Sequence, residues 1–197
     1  MNHFNDFLAS NNWFYQKYAM RDQGKLVSFQ IALNLFLQRG GETIIESGCV
    51  RFAEDFGAGN STTLLGDFCK HYNKKLITVD NSYENLERAK FITREFKEVI
   101  TYIESDSVSF LSRCADIPDL LYLDSMDFPL EGPSEEACQI HQLNELKAIY
   151  DRLPEKAVIL LDDNDLPFNG KTKLSNQFLR DKGWTVIYSG KQICWAR

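Results

Sequence analysis

Carboxylates recur in this sequence immediately after short apolar runs. Glu46 closes Thr43-Ile44-Ile45, Asp80 closes Leu76-Ile77-Thr78-Val79, and Asp124 closes Leu120-Leu121-Tyr122-Leu123. Ser105-Asp106-Ser107 follows the run from Ile100 to Ile103, and Asp162-Asp163-Asn164 follows Ala157 to Leu161. Short runs this rich in Ile, Leu and Val read as buried strands. The carboxyl ends of parallel strands line one rim of an open α/β sheet, and ligands bind there. The acids on such a rim can grip sugar hydroxyls, hold a hard cation, or move a proton.

The first group suits a nucleoside. Gly48 and Gly57-Ala58-Gly59 allow close approach of backbone to a ligand, and a helix starting near Asn60-Ser61-Thr62 aims unpaired N–H groups outward. Asp80, with Asn81 beside it, follows Gly59 by 21 residues, the spacing at which an acid grips a ribose diol. A plain strand-to-helix turn, with Ser61 as helix cap and Asp80 as turn residue, uses the same residues. Their order along the chain favours a nucleoside-bearing ligand.

The second group suits a cation. Asp124, Asp163 and Asn164 offer two carboxylates and an amide oxygen, a donor set for Mg2+ or Mn2+ that leaves room for water and substrate. Asp162 could stand in for its neighbour, and a solvated turn would use the same residues. His141 titrates near neutral pH and is a candidate base or substrate contact, or else a packed helix histidine. Lys171, after Asn169-Gly170, reads as a first-turn surface lysine that could also reach the site. Trp13, Phe14 and Tyr15 either cover the pocket or pack in the core.

Behind these groups stand elements visible in the periodicity. Residues 1–41 read as a helical preface, with Leu26, Phe29, Ile31, Ala32, Leu35 and Phe36 on the apolar side, stopped by Gly40-Gly41 and packed at the edge of the sheet. Residues 42–197 form the ligand-binding domain. Helices are expected from Ser61, through Leu86 to Phe96, over Ser107 to Ser112, over Ser134 to Arg152 before Pro154 with Ile140, Leu143, Leu146, Ile149 and Leu153 as its apolar stripe, and over Lys171 to Asp181 before Gly183. The last two strands, Trp184 to Tyr188 and Gln192 to Ala196, are joined by Ser189-Gly190-Lys191, which requires an antiparallel hairpin. The fold class is α/β: a doubly wound, mostly parallel Rossmann-like sheet with helices on both faces and a C-terminal antiparallel strand.

The chain has 197 residues, enough to bury a core without staples, and a formal net charge of -6. That charge argues against nucleic acid or an anionic membrane as partner. The five cysteines are widely spaced, with no CxxC pair, and read as free thiols of a reducing compartment. The first residues are polar, without an apolar signal core, and no run approaches membrane-spanning length, so the expected location is cytoplasmic.

The ordered set Glu46-Ser47-Gly48, Gly57 to Ser61, Asp80 and Asp106-Ser107 resembles the motifs of class I S-adenosylmethionine-dependent methyltransferases over residues 42 to 197. The interval from Gly48 to Gly57 is longer than in the compact form of that glycine motif. The resemblance implies that Glu46, Gly48, Gly57, Gly59, Asn60, Ser61, Asp80, Asn81, Asp106, Ser107 and Asp124 hold S-adenosylmethionine. Asp124, Asp163 and Asn164 are similar to the metal ligands of the catechol-type and antibiotic-sugar-type O-methyltransferases. The implied reaction is methyl transfer to a hydroxyl of a small-molecule acceptor with help from Mg2+ or Mn2+, and Asp124, His141 and Lys171 are its candidate catalytic residues. Where catechol-type enzymes carry a Lys as base, this chain has Asp127. A nicotinamide-type oxidoreductase or a non-catalytic nucleotide-binding module would use the same donor half.

Overall fold

Runs such as Leu120–Leu123 and Val158–Leu161 put apolar side chains on both faces of an extended chain, so each needs cover on both sides. The computed structural model describes residues 12–18, 23–53, 60–128 and 134–197 and supplies that cover. After helices α1 (Asn12–Tyr18) and α2 (Gln23–Gln38) comes strand β1 (Thr43–Ser47). Then follow α3 (Ser61–Tyr72), β2 (Lys75–Asp80), α4 (Tyr83–Ile92), β3 (Ile100–Glu104), α5 (Ser107–Arg113) and β4 (Leu120–Leu123). The chain closes with α6 (Glu135–Ile149), β5 (Val158–Leu161), α7 (Lys173–Asp181), β6 (Thr185–Ser189) and β7 (Ile193–Ala196).

The seven strands form one sheet in the order β3-β2-β1-β4-β5-β7-β6. The first five are parallel, and β7 runs antiparallel between β5 and β6. The expected hairpin is therefore present, with its last strand inserted in the sheet. Consecutive residues of each strand divide between two cores, as the two-residue strand period requires. Ile44, Leu120, Tyr122, Val158 and Leu160 join Phe29, Phe36 and Phe68 on one face. Ile45, Leu121, Leu123, Ile159 and Leu161 join Leu146, Ile149 and Trp195 on the other.

Local chemistry sets the helix starts. Ser82, Asp106 and Ser134 each accept a hydrogen bond from the backbone N–H three residues on, capping α4, α5 and α6. Asn73 takes a left-handed conformation (φ 53°) and ends α3. Two expectations need correction. Helix α2 packs on a face of the sheet, over β4, β5 and β7, instead of at its edge, because Phe29, Ala32, Leu33 and Phe36 are all needed in the core. The apolar stripe expected along α6 is also incomplete: Ile140 is exposed, and Gln139, Gln142 and Glu145 turn inward.

Candidate functional site

The strand order reverses between β1, which continues towards β2 and β3, and β4, which continues towards β5. The chains leaving β1 and β4 part there and open a cleft at their carboxyl ends. Its volume is about 290 Å3, and its walls include Gly48, Cys49, Arg51, Ser61, Asp80, Asn81, Asp106, Ser107, Asp124, Ser125, Asp127 and His141. Gly48 has φ +81°, and a Cβ there would lie 2.6 Å from the Asp124 carbonyl oxygen. Only glycine lets β1 and β4 end this close together.

Asp80 is aimed by its neighbours. Its Oδ1 accepts from the Ser82 N–H at 2.8 Å and faces Asn85 Nδ2 at 3.4 Å, while Cys49 Sγ donates to Oδ2 at 3.3 Å. These neutral partners fix the direction of the carboxylate, and its remaining lone pairs can accept from sugar hydroxyls. Asp106 caps α5 through Ser109 N–H at 2.8 Å, and that hydrogen bond holds its carboxyl below the ordinary range. His141 reaches the same wall from α6 and meets Ser107 Oγ at 3.2 Å. Behind it lies Glu145, fully buried, with one oxygen 2.6 Å from Ser125 Oγ and 3.7 Å from His141 Nε2. The nearby Glu145 carboxylate raises the pKa of His141 above the usual histidine value.

Glu46 is placed otherwise than expected. It is fully buried behind the cleft, and its carboxylate accepts from Ser61 Oγ at 2.5 Å and Thr62 Oγ1 at 2.9 Å. It therefore fixes the first turn of α3 and presents nothing to a ligand. Burial pushes its pKa up to about 7, against the opposing pull of the Ser61, Thr78 and Thr62 hydroxyls. Asn60 is likewise turned inward, donating to the Ala53 carbonyl at 3.1 Å. Gly57 and Gly59 lie outside the described residues. Trp13 stacks on His71 at 4.2 Å in the last turn of α3, and Phe14 is in the core, so both pack away from the cleft; the Tyr15 side chain lies outside the described residues.

The acids at the ends of β4 and β5 sit in a different environment. Lys171 Nζ lies 2.8 Å from Asp124 Oδ1 and 2.9 Å from Asp163 Oδ2, with its side chain 1% exposed. Lys25 Nζ, from α2, lies 2.8 Å from Asp162 Oδ2. Tyr122 Oη donates to that same oxygen at 2.6 Å and lies 3.1 Å from Asp124 Oδ2. Burial opposes charge on both lysines, yet the surrounding carboxylates raise their pKa values well above the ordinary range. Burial and then the charge of Asp162 push Asp124 upward, whereas Lys25 and Lys171 overcome burial and hold Asp162 far below the usual range.

This donor set does not fit the expected metal. Asn164 Oδ1 accepts from Thr172 Oγ1 at 2.8 Å and Asn176 Nδ2 at 3.1 Å, and its amide nitrogen donates to the Gly190 carbonyl at 2.9 Å. Asp163 takes φ 54°, and the following Asn164 is engaged by the turn between β6 and β7 and by Thr172 and Asn176. Among the described residues no three His, Cys, Asp or Glu side chains are placed to share an ion. Lys171 is correspondingly not a surface residue: α7 starts only at Lys173, and Lys171 is an internal cation behind the cleft.

Neither Lys25 nor Tyr122 was a candidate from the sequence. Lys25 sits 137 residues from its partner, and no local pattern marks it. Arg51, which pairs with Asp127 across the cleft mouth at 2.7 and 3.0 Å, was equally silent.

A family model described as a methyltransferase domain matches residues 55–164, more than half of the chain. The chain belongs to this methyltransferase family. Solved structures agree in fold. The methyltransferase PaMTH1 of Podospora anserina, bound to S-adenosylhomocysteine, is 15% identical and covers 97% of this chain and 87% of its own, with a TM-score of 0.61. A caffeoyl-CoA O-methyltransferase-like protein of Staphylococcus aureus is 10% identical over 98% of this chain and 96% of its own, also at 0.61. NSun6 of Pyrococcus horikoshii reaches 0.61 at 16% identity, over 84% of this chain and 49% of its own. No curated protein matches the sequence. The methyltransferase has no helix, among the described residues, long and apolar enough to cross a membrane. All five of its cysteines are buried free thiols.

Proposed function

We propose that this methyltransferase uses S-adenosylmethionine to methylate a hydroxyl of a small, uncharged or cationic acceptor. The observation that carries the reading is the cleft at the β1–β4 switch point, with Asp80, Asp106, Asp124 and Asp127 on its walls. Against them stand Arg51, itself tied to Asp127, and His141. A polyanionic acceptor would meet repulsion there, whereas a neutral hydroxyl compound would not.

The bound donor supplies an electrophilic methyl group on a sulfonium. The protein supplies position. Asp80 accepts from the two ribose hydroxyls, with Asn81 beside it, and Asp106, Ser107 and His141 line the far end, where the base would lie. Gly48 and Ser61 line the turn between β1 and α3. Asp124 lines the cleft at the end of β4, beside the donor half, where it can accept the acceptor hydroxyl's hydrogen bond and turn an oxygen lone pair towards the methyl carbon. Alignment of this kind can supply several kcal/mol of rate enhancement, roughly 7–11 at best. Assistance from a divalent cation is left out of this reading because Lys171 holds the carboxylates that would bind it.

The test is S-adenosylhomocysteine release on incubation with S-adenosylmethionine and a panel of small phenols, polyols and sugars, set against ribosomal RNA. Release with a hydroxyl compound is expected. Release with RNA alone would overturn the acceptor class while leaving the family intact.

A further inference from the structure

The three acids at the ends of β4 and β5 face two lysines, and the geometry is that of a finished site. We propose that the Lys171 ammonium is the built-in cation of this rim, holding Asp124 and Asp163 together so that the methyltransferase needs no divalent metal at these residues. This deepens the function proposed above and rests on it only for what the rim does, not for what fills it.

Four observations carry the proposal. The ammonium has three protons to give, and two go to Asp124 Oδ1 and Asp163 Oδ2 at 2.8 and 2.9 Å, the lengths of charge-assisted hydrogen bonds. The Ser125 carbonyl, at 3.5 Å, lies in the remaining direction. A magnesium ion would need oxygens at about 2.0–2.1 Å in an octahedron, and the amide oxygen that could complete one, on Asn164, is engaged by Thr172 and Asn176.

The loop is also built to deliver this lysine. Lys171 N–H donates to the Asp163 carbonyl at 3.1 Å, closing the chain back on itself. Gly170 makes the closure possible: it has φ +54°, and a Cβ there would fall 1.7 Å from that carbonyl. Gln139 on α6 donates to the Gly170 carbonyl at 3.1 Å from the other side. A surface lysine that had merely swung inward would need none of these contacts.

Charge balance points the same way. Asp124, Asp162 and Asp163 carry at most three negative charges against the two positive charges of Lys25 and Lys171, and Tyr122 supplies a hydroxyl to the residual charge. A divalent ion added to this set would overcompensate it, and displacing Lys171 would leave a buried ammonium without partners.

Manganese binding, followed by the loss of the free-ion paramagnetic resonance signal, tests this directly. The wild-type protein should show no saturable site below millimolar Mn2+ that Asp163→Asn removes. Lys171→Met, which keeps the length and removes the charge, should gain one saturable site, abolished again by adding Asp163→Asn. Lys171→Gln serves if the methionine variant does not fold, and the wild-type arm decides by itself if neither does. A wild-type Mn2+ site lost in Asp163→Asn overturns the proposal, and so does a folded Lys171 variant that gains no site. Calorimetry with S-adenosylhomocysteine in chelator and in magnesium should give affinities within about twofold. Absence of binding in both would count against the donor reading, whereas binding in magnesium alone would count against the built-in cation.

Discussion

Two halves of one rim are made of the same residue type in opposite states. At the ends of β2 and β3, Asp80 and Asp106 face a cleft and accept from neutral backbone, amide and thiol donors. At the ends of β4 and β5, Asp124, Asp162 and Asp163 meet two ammonium groups, the buried one of Lys171 and the half-buried one of Lys25. The first arrangement leaves carboxylates available to a ligand; the second gives each a permanent partner, and of its three acids Asp124 alone is among the residues that line the cleft. Position at a strand end therefore does not make an acid a ligand. What matters is whether another element brings it a permanent partner.

The contrast is most easily broken by removing such a partner. Lys25→Met leaves Asp162, 0% exposed, with one cation fewer. Breaking a buried pair from one side costs about 3–5 kcal/mol, and urea denaturation should show a loss in that range. Lys17→Ala removes the half-exposed cationic partner of Asp67, which Tyr18 Oη also hydrogen-bonds, and should cost at most about 1 kcal/mol. Equal effects at the two lysines would mean that the network is solvent-screened and the comparison mistaken.

The sequence made the rim legible but not its partners. Strand ends at Glu46, Asp80, Asp124 and Asp162, the reversal of the chain in the final hairpin and the helix starts at Ser61 and Ser134 all follow from local periodicity and capping. The fate of each acid does not, because it is decided across the fold. Lys25 reaches Asp162 only because α2 lies on the face of β5. Asn164 is claimed by Gly190, Thr172 and Asn176, and the preceding Asp163 takes φ 54°, a conformation that Asp and Asn tolerate but do not announce. Glu46 looked like a ligand residue because its type and place match the donor motif, yet Ser61 and Thr62 claim its oxygens. A hydroxyl pair opening the next helix was the one sequence signal that could have shown this.

Glu46 sharpens the comparison, being an acid with neither ligand nor cation. Its pKa is raised from 4.5 to about 7 by burial. The native state therefore holds this proton more tightly than the unfolded chain, and stability falls as pH rises through that window. Glu46→Gln, which keeps an acceptor for Ser61 and Thr62, should remove a slope worth roughly 3 kcal/mol at about 1.4 kcal/mol per unit. Chemical denaturation at pH 5 and pH 7.5 measures it. A variant whose stability keeps the wild-type slope over that interval would show that Glu46 is charged in the native protein.

Asp80 tests the open half. Its hydrogen bonds to the ribose would be charge-assisted and worth about 1.5–3 kcal/mol each. Asp80→Ala should therefore weaken S-adenosylhomocysteine at least tenfold by calorimetry, with little change in unfolding midpoint. Unchanged affinity in the folded variant would place the donor elsewhere, and the distinction between an available and a fixed acid would lose its functional meaning.

The smallest effect belongs to His141, which stands between the two halves. Its ring faces the cleft beside Ser107, and behind it Glu145 is fully buried. This pair differs from the lysine pairs in one respect: its cation can be switched off near neutral pH. The Glu145 carboxylate, 3.7 Å from Nε2, raises the native pKa of His141 above 6.5, partly offset by burial, with Asp106 adding to the rise and Lys171 opposing it. A raised histidine pKa means that the charged form is favoured in the native state. Its stabilisation is complete below the unfolded pKa and fades as pH rises through the native one. The imidazole proton resonances of His141 should accordingly titrate above 6.5, and His141→Gln should remove a stability loss of less than about 1 kcal/mol on raising the pH from 6.5 to 8.5. Because Glu46 acts with the same sign at lower pH, the measurement is cleanest in the Glu46→Gln background. A native His141 titrating below 6.5 would mean that burial outweighs Glu145 and that this wall of the cleft is neutral when the donor binds.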